Sequence, residues 1–565
     1  MSDNNLPESD PINPSREEIM AVSLVSRRAF VTCILMVVLT PLGVAGDAWP
    51  LWGGGAERNH VSSVKGLPDA FVPIKDAAEG ADSTQPTNVR WVARLGSNAY
   101  GNPTIADGRV FVGTDDRLLN TDSTRFKSAK GGMVQCFDEQ NGGLLWQLVI
   151  PERTELPKEV WFVHQYLGVC SSPAVDGNRV YVITGGGDIL CLDVKGQADG
   201  NDGPFVDEAT YMVPKGKPPV ELTDKDGDII WRFDPMDELG VRYHDTASCS
   251  VFIDGDFVYT GTSNGCDGPH KTILSPDAPS LIVLDKHTGR LVASDNEKIG
   301  RRMWHCLWSP PSMGVVNGKK LVFFGGGDGI VYAFEAVEKA ADEPFHLKKV
   351  WSYNGNPPEF LYRDGKLIPY YEGDKRKSYS TNKNDGKFLG PNQIIGSPVF
   401  HDNRVYLAMG QDPAHGRGRG LLHCIDATQT GDITESGCLW KYEGIERTLS
   451  TPVVAKGLLY CPDLSGKLHC LDAKTGEVYY VFDTATETWG GPLVADSKVF
   501  MGTKNHFWVF AEGKKPNVLS QTRLSTPAYS TPVAANGTLF IMSKKFLWAV
   551  AKEADADAAK TLAGE

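Results

Sequence analysis

Three histidines stand six to eight residues ahead of three similar short motifs: His164 before Ser172, His244 before Ser250 and His305 before Ser312. Neutral imidazole is both a metal ligand and a general base near neutral pH. Gln165, Asp245 and Trp304 flank these histidines, and together they would suit a polar pocket with an aromatic wall. Asp245, His244 and His305 form the candidate acid–base set. Two Gly-rich stretches add further donors. Residues 262–270 (TSNGCDGPH) contain Asn264 and Asp267, and residues 410–417 (GQDPAHGR) contain Gln411, Asp412 and His415. Asn264, Asp267 and Asp412 carry hard oxygens of the kind that Ca²⁺ takes. The same residues also fit plainer roles, as loop histidines bonding carbonyls and as simple turns. Residues 199–203 (DGNDG) resemble part of a Ca²⁺ loop but lack the bidentate acid at its twelfth position, and read as a turn.

What would bring these residues together is a repeat. Residues 457–483 run as three apolar stretches separated by a tight turn and by Leu-Asp-Ala-Lys-Thr-Gly. Short Val-, Leu- and Tyr-rich runs bounded by Gly, Asp and Ser are strand signals. The Asp and Thr side chains of such a turn bond nearby backbone, and Gly supplies the positive φ. The turn recurs at 285–289, and with changes at 138–142 and 426–431. Ahead of each unit lies a small-residue motif: Gly101-Asn102-Pro103, Ser171-Ser172-Pro173, Cys249-Ser250-Val251, Ser312-Met313, Gly396-Ser397-Pro398, Ser450-Thr451-Pro452, Gly490-Gly491-Pro492 and Ser530-Thr531-Pro532. Trp146, Trp231, Trp351 and Trp440 each end a unit. Four strands per unit at a period of roughly forty residues or more predicts an all-β, eight-bladed propeller of four-stranded blades. The last unit stops after three strands, so the strand around Trp91 is expected to complete it and close the ring, removing open edges. Inner strands converge on the axis, which would gather the three histidines at one mouth. Insertions crowd that face over blades one to five. The Gly-rich runs at 185–188 and 325–329 are blade turns rather than phosphate loops, because no helix follows.

A net charge of −13 argues against a nucleic-acid groove or a basic membrane-binding face. The 11 Cys make no CxxC pair and no zinc-like spacing. Cys136, Cys191, Cys424 and Cys470 sit at one repeat position and read as core. Cys170, Cys249, Cys266, Cys306, Cys438 and Cys461 leave room for disulfides whose pairing is open.

The small-residue inner strand, the third strand (GGGDGIVYAFE, SGKLHCLDA), the Asp-x-x-Thr-Gly turn and the Trp after it resemble the pyrroloquinoline-quinone (PQQ) repeat propellers over about residues 88–552. The resemblance implies the fold and, more weakly, an activity. That superfamily includes quinoprotein dehydrogenases, which hold the quinone and a Ca²⁺ at the wheel's centre. It also includes non-catalytic members similar to the propeller lipoprotein of outer-membrane protein assembly. The adjacent-Cys pair of many alcohol dehydrogenases, a fused cytochrome and the lipoprotein's acylated Cys are all missing.

Residues 26–46 combine an Arg pair (SRRAFV), a short apolar core and a small-residue site, as a signal peptide does. The expected organisation is a leader over 1–48, an irregular segment over 49–87, the propeller over 88–553 and a disordered tail over 554–565. The leader predicts export to the periplasm or beyond, with no membrane span after cleavage. Three functions fit. The first is an exported scaffold binding a protein or small molecule on the loop-rich face. The second is a PQQ- and Ca²⁺-dependent oxidoreductase of alcohols or sugars. There His164, Gln165, Trp304, Gln411 and His415 would contact the cofactor, and Asp245 would take the substrate proton. The third is a metal-dependent hydrolase using the same His and Asp residues.

Overall fold

In a computed structural model of the chain, the structure describes residues 48–73, 88–154, 166–268, 271–305, 307–363, 365–367, 371–372, 375–376, 392–411 and 419–552. The leader, His164, Gln165, Cys306, Asp412, His415 and the C-terminal tail lie outside the described residues. Eight blades, each of four antiparallel strands running from inner to outer, follow one another around an axis, and three of them gain a short parallel fifth strand. The inner strands are Thr104–Ala106, Ala174–Asp176, Phe252–Asp254, Ser312–Val316, Val399–His401, Val453–Ala455, Leu493–Ala495 and Val533–Ala535. The eighth blade is completed by Val89–Arg94, which pairs antiparallel with Phe546–Val550. The ring is therefore closed by its own beginning.

The repeated residues explain how blades dock. Asp285 accepts bonds from the amides of His287 and Thr288, and Asp472 does the same for Lys474 and Thr475. Each such turn receives a Trp from the preceding blade. The indole N–H of Trp91 donates to Glu139 O, Trp146 to Val194 O, Trp231 to Lys286 O, Trp351 to Ala427 O and Trp440 to Ala473 O, at 2.8–3.2 Å. The turn glycines let the ring close in: a Cβ on Gly142 (φ +72°) would meet Trp91 at 2.6 Å. A buried indole brings large apolar area together with one satisfied donor, which accounts for its recurrence at the end of the unit.

At the centre a second set of bonds runs from blade to blade. Asn102 N–H donates to Ser172 Oγ, Ser172 N–H to Ser250 Oγ, Ser397 N–H to Thr451 Oγ1, Gly491 N–H to Thr531 Oγ1 and Thr531 N–H to Asn102 Oδ1, at 2.7–3.0 Å. This hoop is interrupted where the chemistry forbids it. Gly491 offers Thr451 no acceptor, and Pro310 has neither hydroxyl nor N–H. Pro310 occupies the fourth-blade position because the inner strand there starts at Ser312. The fourth copy of the motif is therefore Ser309-Pro310-Pro311, three residues earlier than the sequence pattern suggests.

Residues 49–62, expected only to be irregular, thread the hub and bond every blade. Trp49 exchanges two backbone bonds with Ile105, and Pro50 O accepts from Val175 N. Arg58 Nη2 donates to Val251 O, beside the third inner strand. Ala56 O and Glu57 O accept from Met313 N and Phe400 N. The Asn59 amide makes a two-way pair with Val454. Val61–Ser62 lies parallel to Leu493–Ala495, and Ser62 Oγ donates to Ala534 O. The segment occupies the level of the mid-strand residues and closes the axis beneath the hoop. Gly53 (φ +81°) is required there, since its Cβ would lie 2.5 Å from Arg58 Cα.

Candidate functional site

Above that floor the wheel holds an open cup of about 460 Å³, within the ordinary range for a small-molecule site. Its wall takes one residue from each blade, the one immediately before the motif: Tyr100, Cys170, Ser248, Trp308, Ile395, Leu449, Trp489 and Tyr529. Trp52 of the hub segment lines it from below, and Ser172, Ser250, Thr451 and Thr531 of the hoop add hydroxyls. Trp489 stacks on Tyr529 (centroids 4.8 Å, 13°) and on Tyr100 (5.9 Å, 20°), giving a continuous aromatic side over blades seven, eight and one. Glu487 holds two of these rings by accepting from Trp489 Nε1 and Tyr529 O–H. Burial pushes the Cys170 thiol up to about 12, so it contributes a neutral surface.

Asp245 is the one charged side chain among the described lining residues. It sits in the linker between blades two and three, across the ring from the seventh blade's Trp489. Its backbone is left-handed (φ 59°), an arrangement that costs energy and concentrates at working sites. Asp245 Oδ1 lies 3.4 Å from His244 Nε2.

Behind this wall His244, His305 and Cys266 converge, all three buried, with one donor atom from each lying within 4.8 Å of the others. The imidazoles meet edge to face at 4.2 Å, and His305 packs against Trp308 at 5.2 Å. Three loops are knitted together here: Gly265 N–H donates to Arg242 O and Cys266 N–H to His305 O. Sequence spacing had suggested His244, Asp245 and His305 as neighbours but gave no sign of Cys266, whose contribution depends on how its loop folds back.

Other candidates have local duties. Asn264 accepts from Arg242 N and donates to Ser275 O, and Asp267 accepts from the amides of Lys271 and Thr272. These bonds shape the loop. Trp304 and Gln411 are buried; Gln411 is outside the cup lining, and the aromatic wall comes from Trp308 and the blade-seven-to-one rings rather than from Trp304. The residue before each motif was the signal that sequence reading passed over.

A family model described as outer membrane protein assembly factor BamB matches residues 130–352, 225–480 and 418–515. The chain belongs to this family of PQQ-repeat propellers. Among curated proteins, none matches the sequence. Among solved structures, this PQQ-repeat propeller is similar to a quinohemoprotein alcohol dehydrogenase of Pseudomonas putida (12% identity, TM-score 0.53, covering 90% of this chain and 81% of that one). It is also similar to a europium-containing methanol dehydrogenase (13%, TM-score 0.52, 87% and 89%). BamB of Moraxella catarrhalis aligns at 14% identity with a TM-score of 0.45, over 81% of this chain and 96% of that one. At these identities the likeness is one of fold.

The cup does not fit PQQ on the described residues. That quinone carries several carboxylates, and no described lining residue is Lys or Arg, while the one charge present is the like-signed Asp245. Lys544 lies over the ring of Tyr100 and does not line the cup. No described helix is long and apolar enough to cross a membrane.

Proposed function

We propose that this propeller is an exported small-molecule-binding protein whose ligand sits in the axial cup. The observation that carries the reading is the closed-floored cup itself, with one wall residue from each blade. Its polarity suggests the ligand class. An aromatic side facing a single carboxylate favours a flat, cationic, amphipathic molecule over an anion. The Arg pair and apolar core of residues 26–46 support export. The oxidoreductase reading is disfavoured because no Lys or Arg stands among the described lining residues.

The test is a fluorescence titration of the purified protein with benzyltrimethylammonium, benzyl alcohol and phenylacetate. The ammonium ion is expected to bind at least about tenfold tighter than the carboxylate. Trp489→Ala is expected to weaken that binding by about tenfold, the worth of a partly desolvated cation–π contact. Asp245→Asn is expected to abolish the charge preference while sparing benzyl alcohol. Preference for phenylacetate, or tight uptake of PQQ with Ca²⁺, would sink the reading.

A further inference from the structure

We propose that His244, Cys266 and His305 form a transition-metal site in the wall of the cup, selective for a thiophilic ion of the Zn²⁺ class. This inference is independent of what the cup binds. Two imidazoles and a thiol are brought within 4.8 Å by three separate loops. With metal–nitrogen bonds near 2.0–2.1 Å and metal–sulfur near 2.3 Å, a tetrahedral ion needs its donors roughly 3.5 Å apart. A mixed nitrogen and sulfur set selects Zn²⁺ or copper over Ca²⁺ or Mg²⁺.

The surroundings are those of an oriented ligand set. His244 Nδ1 lies 2.9 Å from Cys266 O. The same nitrogen lies 3.5 Å from Cys266 Sγ, so one edge of the ring is turned to the loop's carbonyl and its sulfur together. The Cys266 amide is likewise tied to His305 O at 2.8 Å. His244 Nε2 points toward Asp245, 3.4 Å away, and Asp245 lines the cup. Three protein donors beside an open cavity match the complement of a zinc site that keeps a place for water or ligand. Binding would release the thiol proton, leaving a thiolate on the metal.

The experiment uses the full-length protein, stripped with a chelator and titrated with Co²⁺ alone and then Zn²⁺. One equivalent of Co²⁺ is expected to give tetrahedral ligand-field bands and a thiolate charge-transfer band, both erased by Zn²⁺. Cys266→Ser is expected to remove the charge-transfer band. It should also weaken Zn²⁺ by more than the roughly 10–100-fold that loss of an outer-shell partner costs. His305→Gln should weaken Zn²⁺ comparably, while Cys170→Ser keeps both bands. Circular dichroism of each variant separates lost ligation from lost folding, and Cys170→Ser together with the wild-type spectrum keeps the test open if Cys266→Ser fails to fold. A Co²⁺ spectrum without sulfur charge transfer, one that survives Cys266→Ser, or a Cys266–Cys306 disulfide in the purified protein would overturn the proposal.

Discussion

Arg58→Ala is expected to lower the unfolding free energy by about 3–5 kcal/mol, read as a shift in the denaturant midpoint. Arg58 is fully buried. Its guanidinium donates to Pro311 O and Val251 O at 2.9 Å and to Trp52 O at 2.5 Å, and it stands over Phe252. One side chain thus joins the hub segment to blades three and four. Truncation leaves three buried carbonyls short of a donor, each worth about 1–3 kcal/mol. Burial already lowers the Arg58 pKa to about 9, so the charge is retained at neutral pH at a cost that its hydrogen bonds must offset. Arg58→Lys is expected to fall between, because a single ammonium cannot serve a fork of carbonyls. Alanine inherits the same left-handed backbone (φ 58°), so strain cancels in the comparison. A loss below about 1 kcal/mol would refute the role given to Arg58.

Acid is expected to weaken the fold through two buried histidines. His60 sits in the hub between Trp49 and Trp52; burial, and secondarily the positive Arg58, hold its pKa down from 6.5 to about 3. His423 accepts or donates a 3.0 Å bond with Tyr353 O–H, and burial holds it to about 4. Both are neutral in the folded state, while in the unfolded chain they take up protons below about pH 6.5. The unfolded state binds more protons in that window, so stability is intact above it and falls as pH drops toward the folded values. Each contributes a slope approaching about 1.4 kcal/mol per pH unit. Asp228, raised to about 7 mainly by burial, acts in the opposite direction. The readout is therefore the difference between wild type and His60→Gln, His423→Gln or both. Variants that keep the wild-type slope between pH 6.5 and 4 would contradict the assignment.

The blades were legible because their signals are local. Asp-x-x-Thr-Gly turns, Trp ends and small-residue motifs each lie within one unit and recur, and even the closing strand was announced by Trp91. The hub segment was not legible. Its bonds run to residues as far as 472 positions away, and no period marks residues 49–62. The fourth-blade motif was misplaced because Ser312-Met313 imitates the pattern, while Pro310 hides the hoop position. For the site, His244, Asp245 and His305 emerged from spacing relative to inner strands, which the propeller geometry converts into proximity. Cys266 did not, since only the folding of its loop over the other two brings a thiol to the imidazoles.

That residues 49–62 bond all eight blades has a consequence for how the molecule matures. Amino-terminal residues, made earliest, find their final partners only after the carboxyl-terminal blade exists. Contacts so distant in sequence make for slow assembly and leave unpaired edges waiting. Nascent chains would spend that interval with those partners unmade. A ribosome-stalled fragment ending before residue 533 would lack the eighth blade's first three strands, leaving Val89–Arg94 and Ser62 without their partners.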